Sequence, residues 1–191
     1  MSKALHLSEI ANIQSGYSFR VKVVNIDNGK LGVIQAKDIK GLYVDEGSLA
    51  RIDQDYAESR IQQDGDILLT SRGSFRASVG KFSEATIASS SLFTIRLTSK
   101  EFLPEYVSIY LNSDAAQYYF SQSAKGATIQ SLVIDDLRNL SIPHIPLENQ
   151  QIIINLQRNI EDQNRLLKRK QEIVNGVLNT SISQTIEGAI K

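Results

Sequence analysis

Two prolines three residues apart constrain this chain more than any other feature. Ile142-Pro143 and Ile145-Pro146 fix two φ angles and push each preceding residue out of the helical region, so residues 140–146 must run extended. Pro146 is the last of the chain's three prolines, and residues 147–191 are free to form one uninterrupted helix. A proline suits a helix start, and Glu148 puts negative charge in the first turn, where the macrodipole favours it. The expected organisation is a mixed body over residues 1–146 and a long helix over residues 147–191. A plain linker to a C-terminal core helix is the competing reading.

Periodicity in the tail bears on that choice. Ile153, Leu156, Ile160, Leu167, Val174 and Val177 fall near an a/d pattern, and Leu178, Ile182, Ile186 and Ile190 continue at intervals of four. Gln163 and Lys170 interrupt the seam. A helix from residue 149 to residue 187 would be roughly 55–60 Å long, far beyond the average for a globular domain. A body of this size cannot cover so long a stripe. A second helix must do so.

Ahead of the prolines the pattern is mixed. Leu7, Ile10 and Ile13 are spaced three apart, which suits a short helix or a turn into a strand. Residues 21–26 and 31–34 are rich in β-branched side chains on either side of Asn28-Gly29, a strong hairpin signal. Residues 67–69, after Asp64-Gly65, read as a buried strand, and residues 90–97 alternate well enough to be another. Pro104, followed by Tyr106, Ile109 and Tyr110 on one face, predicts a helix over residues 102–111 that runs on through residues 115–120. Leu132, Ile134, Leu137 and Leu140 lead back to the prolines.

Catalytic chemistry is hard to place anywhere in the chain. There is no phosphate-cradling G-x-x-x-x-G-K-[ST] loop and no H-E-x-x-H helix. The absence of cysteine excludes disulfides and thiolate metal sites. His6 and His144, the only histidines, have no neighbours at ligand spacing, and His144 reads as a surface residue of the proline turn. Asp64 and Asp66 look like a carboxylate pair, yet no lysine follows at nuclease spacing, and Asp64-Gly65 is more simply a turn. No apolar run approaches the roughly 18 residues of a membrane span, and residues 1–10 lack signal-peptide design. The expectation is a cytoplasmic, non-enzymatic protein without cofactor, metal or membrane contact.

Four blocks, in order, resemble a known family. IPHIPLENQQ resembles the I-P-x-P-P-L-x-E-Q segment that ends a target recognition domain in specificity subunits of type I restriction–modification enzymes. LSEIANIQSGYSFR resembles the opening L-x-E-I-x-x-I-x-x-G pattern, GDILLTSRGS the G-D-I-L segment, and KGATIQSLVIDDLRNLSIP the block that leads into the prolines. The resemblance implies an α/β (α+β) fold: a mixed target recognition domain, then a long C-terminal helix that pairs as an antiparallel coiled coil. Full-length members carry two such domains and two such helices, so this chain resembles a half-size form. The expected partners are double-stranded DNA, modification subunits, a restriction subunit in some systems, and a second copy of the chain. S-adenosylmethionine, Mg and ATP would then belong to partner subunits.

DNA reading needs long polar side chains on loops, with hydroxyls and amides for phosphates. Three loops offer these. Residues 15–22 bring Tyr17, Ser18, Arg20 and Lys22 around Gly16. Residues 70–81 bring Arg72, Ser74, Arg76 and Lys81 as a flexible basic loop. Residues 125–130 bring Lys125, Thr128 and Gln130 around Gly126. Turn geometry is the plainer explanation of Gly16, Gly65, Gly73 and Gly126, and Arg72 and Arg76 could equally pair with surface carboxylates. The candidate dimer seam is Ile153, Leu156, Ile160, Leu167, Val174, Val177, Leu178 and Ile182. With 21 basic and 21 acidic residues the chain is neutral, whereas autonomous DNA binders are usually basic. Binding within a complex fits that balance better than binding alone. An interaction module or truncated remnant, docking or sequestering modification subunits without reading DNA, is the alternative.

Overall fold

The computed structural model describes residues 4–189 apart from Val21, Asp55, Ala57 and Ala127, with the backbone alone for residues 185–189. Strand β1 (Ala4–His6) is followed by α1 (Leu7–Ile10), β2 (Ala11–Ser15), β3 (Leu31–Ile34), β4 (Ala50–Ile52), β5 (Ile67–Thr70), β6 (Ala77–Val79), β7 (Thr86–Ala88) and β8 (Leu92–Leu97). Three helices come next, α2 (Pro104–Leu111), α3 (Asp114–Ser123) and α4 (Ile134–Arg138), then β9 (Ser141–Pro143) and α5 (Leu147–Ala189). The contacts divide the chain into two compact units, Met1–Ile154 and Asn155–Lys191.

The first unit is built on an antiparallel sheet of order β2-β8-β5-β6. One face, with Ile67, Leu69, Phe93 and Ile95, shares a core with Tyr106, Val107, Leu111 and Phe120 of the helices. From the other face Leu68 and Leu92 pack with Ile34, Ile39 and Val44. Covered on both sides, β5 carries a continuous apolar run rather than an alternating one, as a doubly buried strand must. A second sheet, β4-β3-β7, pairs β3 antiparallel to β4 and parallel to β7. The proline segment is strand β9, which pairs antiparallel with β1.

Several sequence expectations need correction. Asn28 does form a turn, at φ +65°, but among the described residues no hairpin closes across it. Strand β4 takes the antiparallel place beside β3, with Leu31 opposite Ile52, and Ile26 N donates instead to Arg51 O at 2.9 Å. Val21, included in the expected first strand, lies outside the described residues. The expected helix through residue 120 breaks at Asn112. That side chain pairs with β6 as a strand would, its Nδ2 donating to Ala77 O at 2.8 Å and its Oδ1 accepting from Ala77 N at 2.9 Å. Ser113 then caps α3, its side chain accepting from Ala116 N. His144 is half-buried rather than exposed, its ring 5.4 Å from Phe102 and its Nε2 3.5 Å from Glu101 Oε2.

Both aspartates of the apparent carboxylate pair are structural. Asp64 Oδ1 accepts from Phe82 N at 2.7 Å. Asp66 is buried and takes Arg96 in a two-pronged pair at 2.7 and 2.6 Å. Those bonds push the Arg96 guanidinium above its ordinary range.

The start of α5 is locked into the first unit. Gln150 is fully buried, and its amide accepts from Leu103 N at 2.8 Å while donating to Glu101 O at 2.7 Å and Ile145 O at 2.9 Å. Ile154 is buried beside it and Ile153 is partly buried against the same core. The 43 residues of α5 correspond to about 65 Å of helix. Beyond Asn155, exposed polar side chains pair one turn apart along the helix, as Gln163 with Asn159 and Gln171 with Asn175. Among the described residues, no helix is long and apolar enough to cross a membrane.

Candidate nucleic-acid interface

Antiparallel pairing puts the end of β2, the start of β8, the end of β5 and the start of β6 on one edge of the first sheet. The segments leaving that edge are joined by backbone hydrogen bonds. Ser90 N donates to Tyr17 O at 2.7 Å, Ser71 N to Ser91 O at 2.9 Å, and Leu132 N to Ser71 O at 3.0 Å. Gly73 N donates to Gln130 O at 2.9 Å, while Lys125 and Ser131 exchange bonds of 3.0 and 2.8 Å. Three loops distant in sequence therefore form one continuous surface.

The segments themselves carry only positive charge, although Lys22 lines a pocket with Asp53 and Val133 N donates to Asp136 Oδ2 at 2.8 Å. Residues 15–22, 70–77, 88–92 and 124–133 contain Arg20, Lys22, Arg72, Arg76 and Lys125 and no aspartate or glutamate. All five cations are exposed. Among the described residues none of the five has a carboxylate at ion-pair distance, which removes the surface-pair explanation for Arg72 and Arg76. Carboxylates hold the opposite edge together instead. Glu46 accepts from Ser83 N, Ser83 Oγ and Glu84 N, and the Ser83 backbone bond above all holds its carboxyl below the ordinary glutamate range.

Residues 70–81 are not a flexible loop. They form a tight hairpin that includes β6. Thr70 N donates to Arg76 O at 2.9 Å, and Thr70 Oγ1 accepts from Arg76 N at 2.8 Å and donates to Ser74 O at 2.5 Å. Gly73, at φ +74°, makes the turn in a region other residues avoid. Phe75 is buried with its ring 5.7 Å from Phe120, which anchors the hairpin and leaves Arg72, Ser74 and Arg76 outside. Lys81 is separated from them by β6, at the opposite edge, with Nζ 4.1 Å above the Tyr43 ring.

The other candidates divide similarly. Tyr17 packs edge-on with Phe19 and Tyr56, at 5.0 and 4.7 Å between ring centroids, so its ring serves a small core. Thr128 and Gln130 are exposed on the turn beside Arg72. Gly16 has a steric reason rather than a turn: an added Cβ would lie 2.1 Å from Ser89 O. Two groups at this edge escaped the sequence reading. Ser89, Ser90 and Ser91 form the turn into β8, although alternation assigns Ser90 and Ser91 to the strand. Three hydroxyl residues before an apolar run are the turn signal that was available. Arg60 also reaches the edge, its Nη1 donating to Ser15 O at 3.3 Å, with nothing in the sequence to mark it.

Along α5, Leu156 (61%), Leu167 (63%) and Val177 (63%) are largely exposed, as are Ile160, Val174, Leu178 and Ile182. Ile153 differs, being partly covered by the core of the first unit. The Ile186 side chain and Ile190 lie outside the described residues.

Comparison with known proteins agrees with this architecture. The model of the type I restriction modification DNA specificity domain matches residues 2–175. A chain from a structure describing complex assembly and conformational transition of the type I R-M system is 23% identical, with a TM-score of 0.64 over 88% of this chain and 40% of that one. The HsdS subunit from Thermoanaerobacter tengcongensis is 22% identical, at 0.62 over 88% and 39%. The type I restriction-modification S subunit from M. genitalium is 18% identical, at 0.59 over 85% and 39%. This chain spans about two fifths of the length of those solved chains. No curated protein gives a significant match. With its mixed α/β body, its long C-terminal helix and a family match over nearly its whole length, the chain belongs to the type I restriction–modification DNA specificity domain family.

Proposed function

We propose that this chain supplies DNA sequence specificity to a type I restriction–modification complex, binding duplex DNA with the sheet edge that carries Arg72, Arg76 and Lys125, aided by Arg20 and Lys22 on the segment that follows Tyr17. The carrying observation is charge segregation: five exposed cations and no carboxylate on four hydrogen-bonded segments of a chain with no net charge. Such an edge suits phosphates, with Ser18, Ser74 and Ser90 as hydroxyl donors. The chain acts without catalysis of its own, in the cytoplasm. S-adenosylmethionine, Mg and ATP bind the modification and restriction subunits. Residues 1–146 are the recognition domain and residues 147–191 the assembly helix.

The exposed stripe from Leu156 to Ile182 supports pairing of that helix with a second copy in an antiparallel coiled coil. Two recognition domains related by a two-fold axis read an interrupted palindrome, because symmetric proteins mirror their half-sites. The test is selection of duplexes from a randomised pool by the chain with its modification subunit, followed by affinity measurements across salt. Enrichment of a two-part site, with affinity falling steeply with salt, is expected. A module that only docks or sequesters modification subunits enriches no sequence.

A further inference from the structure

Two large apolar side chains are exposed on residues 124–133, Val133 at the start of α4 and Ile129 on the turn before it. Ile129 is 63% exposed and lies between Thr128 and Gln130. Its turn is pinned on both sides, by the two Lys125–Ser131 backbone bonds and by Gly73 N donating to Gln130 O. The Ile129 carbonyl also stands where only glycine leaves room: Gly126 has φ +120°, and a Cβ there would lie 2.3 Å from Ile129 O. Scattered surface isoleucines need no explanation. This one is held in place beside a lysine, a threonine and a glutamine.

We infer that Ile129 is a base-reading residue that meets the 5-methyl group of a thymine in the major groove, an inference that rests on the DNA-reading role proposed above. Thymine alone presents an apolar group on the major-groove edge, and glutamine matches the N6/N7 pair of adenine there. The neighbours decide between this contact and the other use of isoleucine in DNA binders, a wedge between base steps. Thr128 and Gln130, exposed on either side of it, carry groups that match base edges rather than a stacked step, which favours edge depth for the residue between them. Arg72 and Arg76, on the adjoining hairpin, then hold phosphates.

The probe is a duplex selected from a randomised pool by the full chain with its modification subunit. The wild type should enrich thymine at one position at least, and replacing that thymine with uracil should weaken binding about fourfold, the worth of one buried methyl group. Ile129→Ala should fold as the wild type does and bind both duplexes equally. A thymine-to-uracil effect that persists in full in Ile129→Ala at every enriched thymine overturns the inference and leaves the DNA-reading role standing. So does enrichment of a site without thymine. Unstacking of a base step, seen by 2-aminopurine fluorescence and abolished in Ile129→Ala, overturns it in favour of a wedge. Failure to enrich any sequence overturns the role and the inference together.

Discussion

Replacing Gln150 probes how the first turn of α5 is held within the first unit. The side chain is fully buried and serves three backbone groups, Leu103 N, Glu101 O and Ile145 O, with bonds of 2.7 to 2.9 Å. Each such bond contributes about 1 kcal/mol net, and groups left unpaired away from water cost more, so Gln150→Ala should destabilise the chain by about 2–4 kcal/mol. For a domain of this size that corresponds to a drop in Tm of roughly 5–15 °C. Gln150→Glu sharpens the test. Its carboxylate still accepts from Leu103 N but faces two carbonyl oxygens, which raises the carboxyl pKa in the folded state. A raised pKa means stability present at low pH and lost as pH rises through the folded value, so the gap from wild type should widen from pH 4 to pH 8. Urea denaturation followed by circular dichroism measures both. A change below about 0.5 kcal/mol in the alanine variant, with no pH dependence in the glutamate variant, would refute the reasoning.

Three further outcomes are expected. In the assembled complex, Arg72→Ala or Arg76→Ala should weaken cognate and random DNA alike and lower the salt slope by about one unit; loss of about 1–3 kcal/mol on the cognate site alone would mark a base contact, and no change in either variant would make the hairpin scaffold. Ile160→Lys with Leu167→Lys should dissociate the paired helices by burying charge in the seam, at a cost of several kcal/mol; sedimentation showing the wild type monomeric at micromolar concentration would end that idea. The Glu46 carboxyl, held below its ordinary range by Ser83, contributes stability above the unfolded glutamate pKa and loses it as pH falls through the folded value. The Tm difference between wild type and Glu46→Gln should therefore narrow from pH 7 to pH 3, and a constant difference would contradict it.

Elements dictated by local chemistry were legible in the sequence. Pro143 and Pro146 marked a strand and a helix start, and both are where the ring geometry requires. Pro104 opened α2, and the apolar run at residues 67–69 was a buried strand. What failed depended on partners far away in sequence. Asn112 looks harmless in a helix until β6, 35 residues earlier, offers its Ala77 backbone to that amide. Asn28-Gly29 turns the chain as its chemistry requires, but which strand lies beside β3 is set by β4, about twenty residues further on.

The candidate site shows the same division. Residue types were visible: arginines, lysines and hydroxyls around glycines in three separate loops. Their convergence was not, since it rests on hydrogen bonds linking Tyr17 to Ser90, Ser91 to Ser71, and Gly73 to Gln130. Net charge is silent on this for a related reason. It sums over the chain and discards position, whereas a phosphate responds to charges within about a Debye length, roughly 8–10 Å at physiological salt. Glu46, Asp64 and Asp66 are engaged at the far edge, so the balance of 21 against 21 does not describe the edge that carries Arg72, Arg76 and Lys125. The positions of charges, unlike their sum, dictate which edge a duplex approaches.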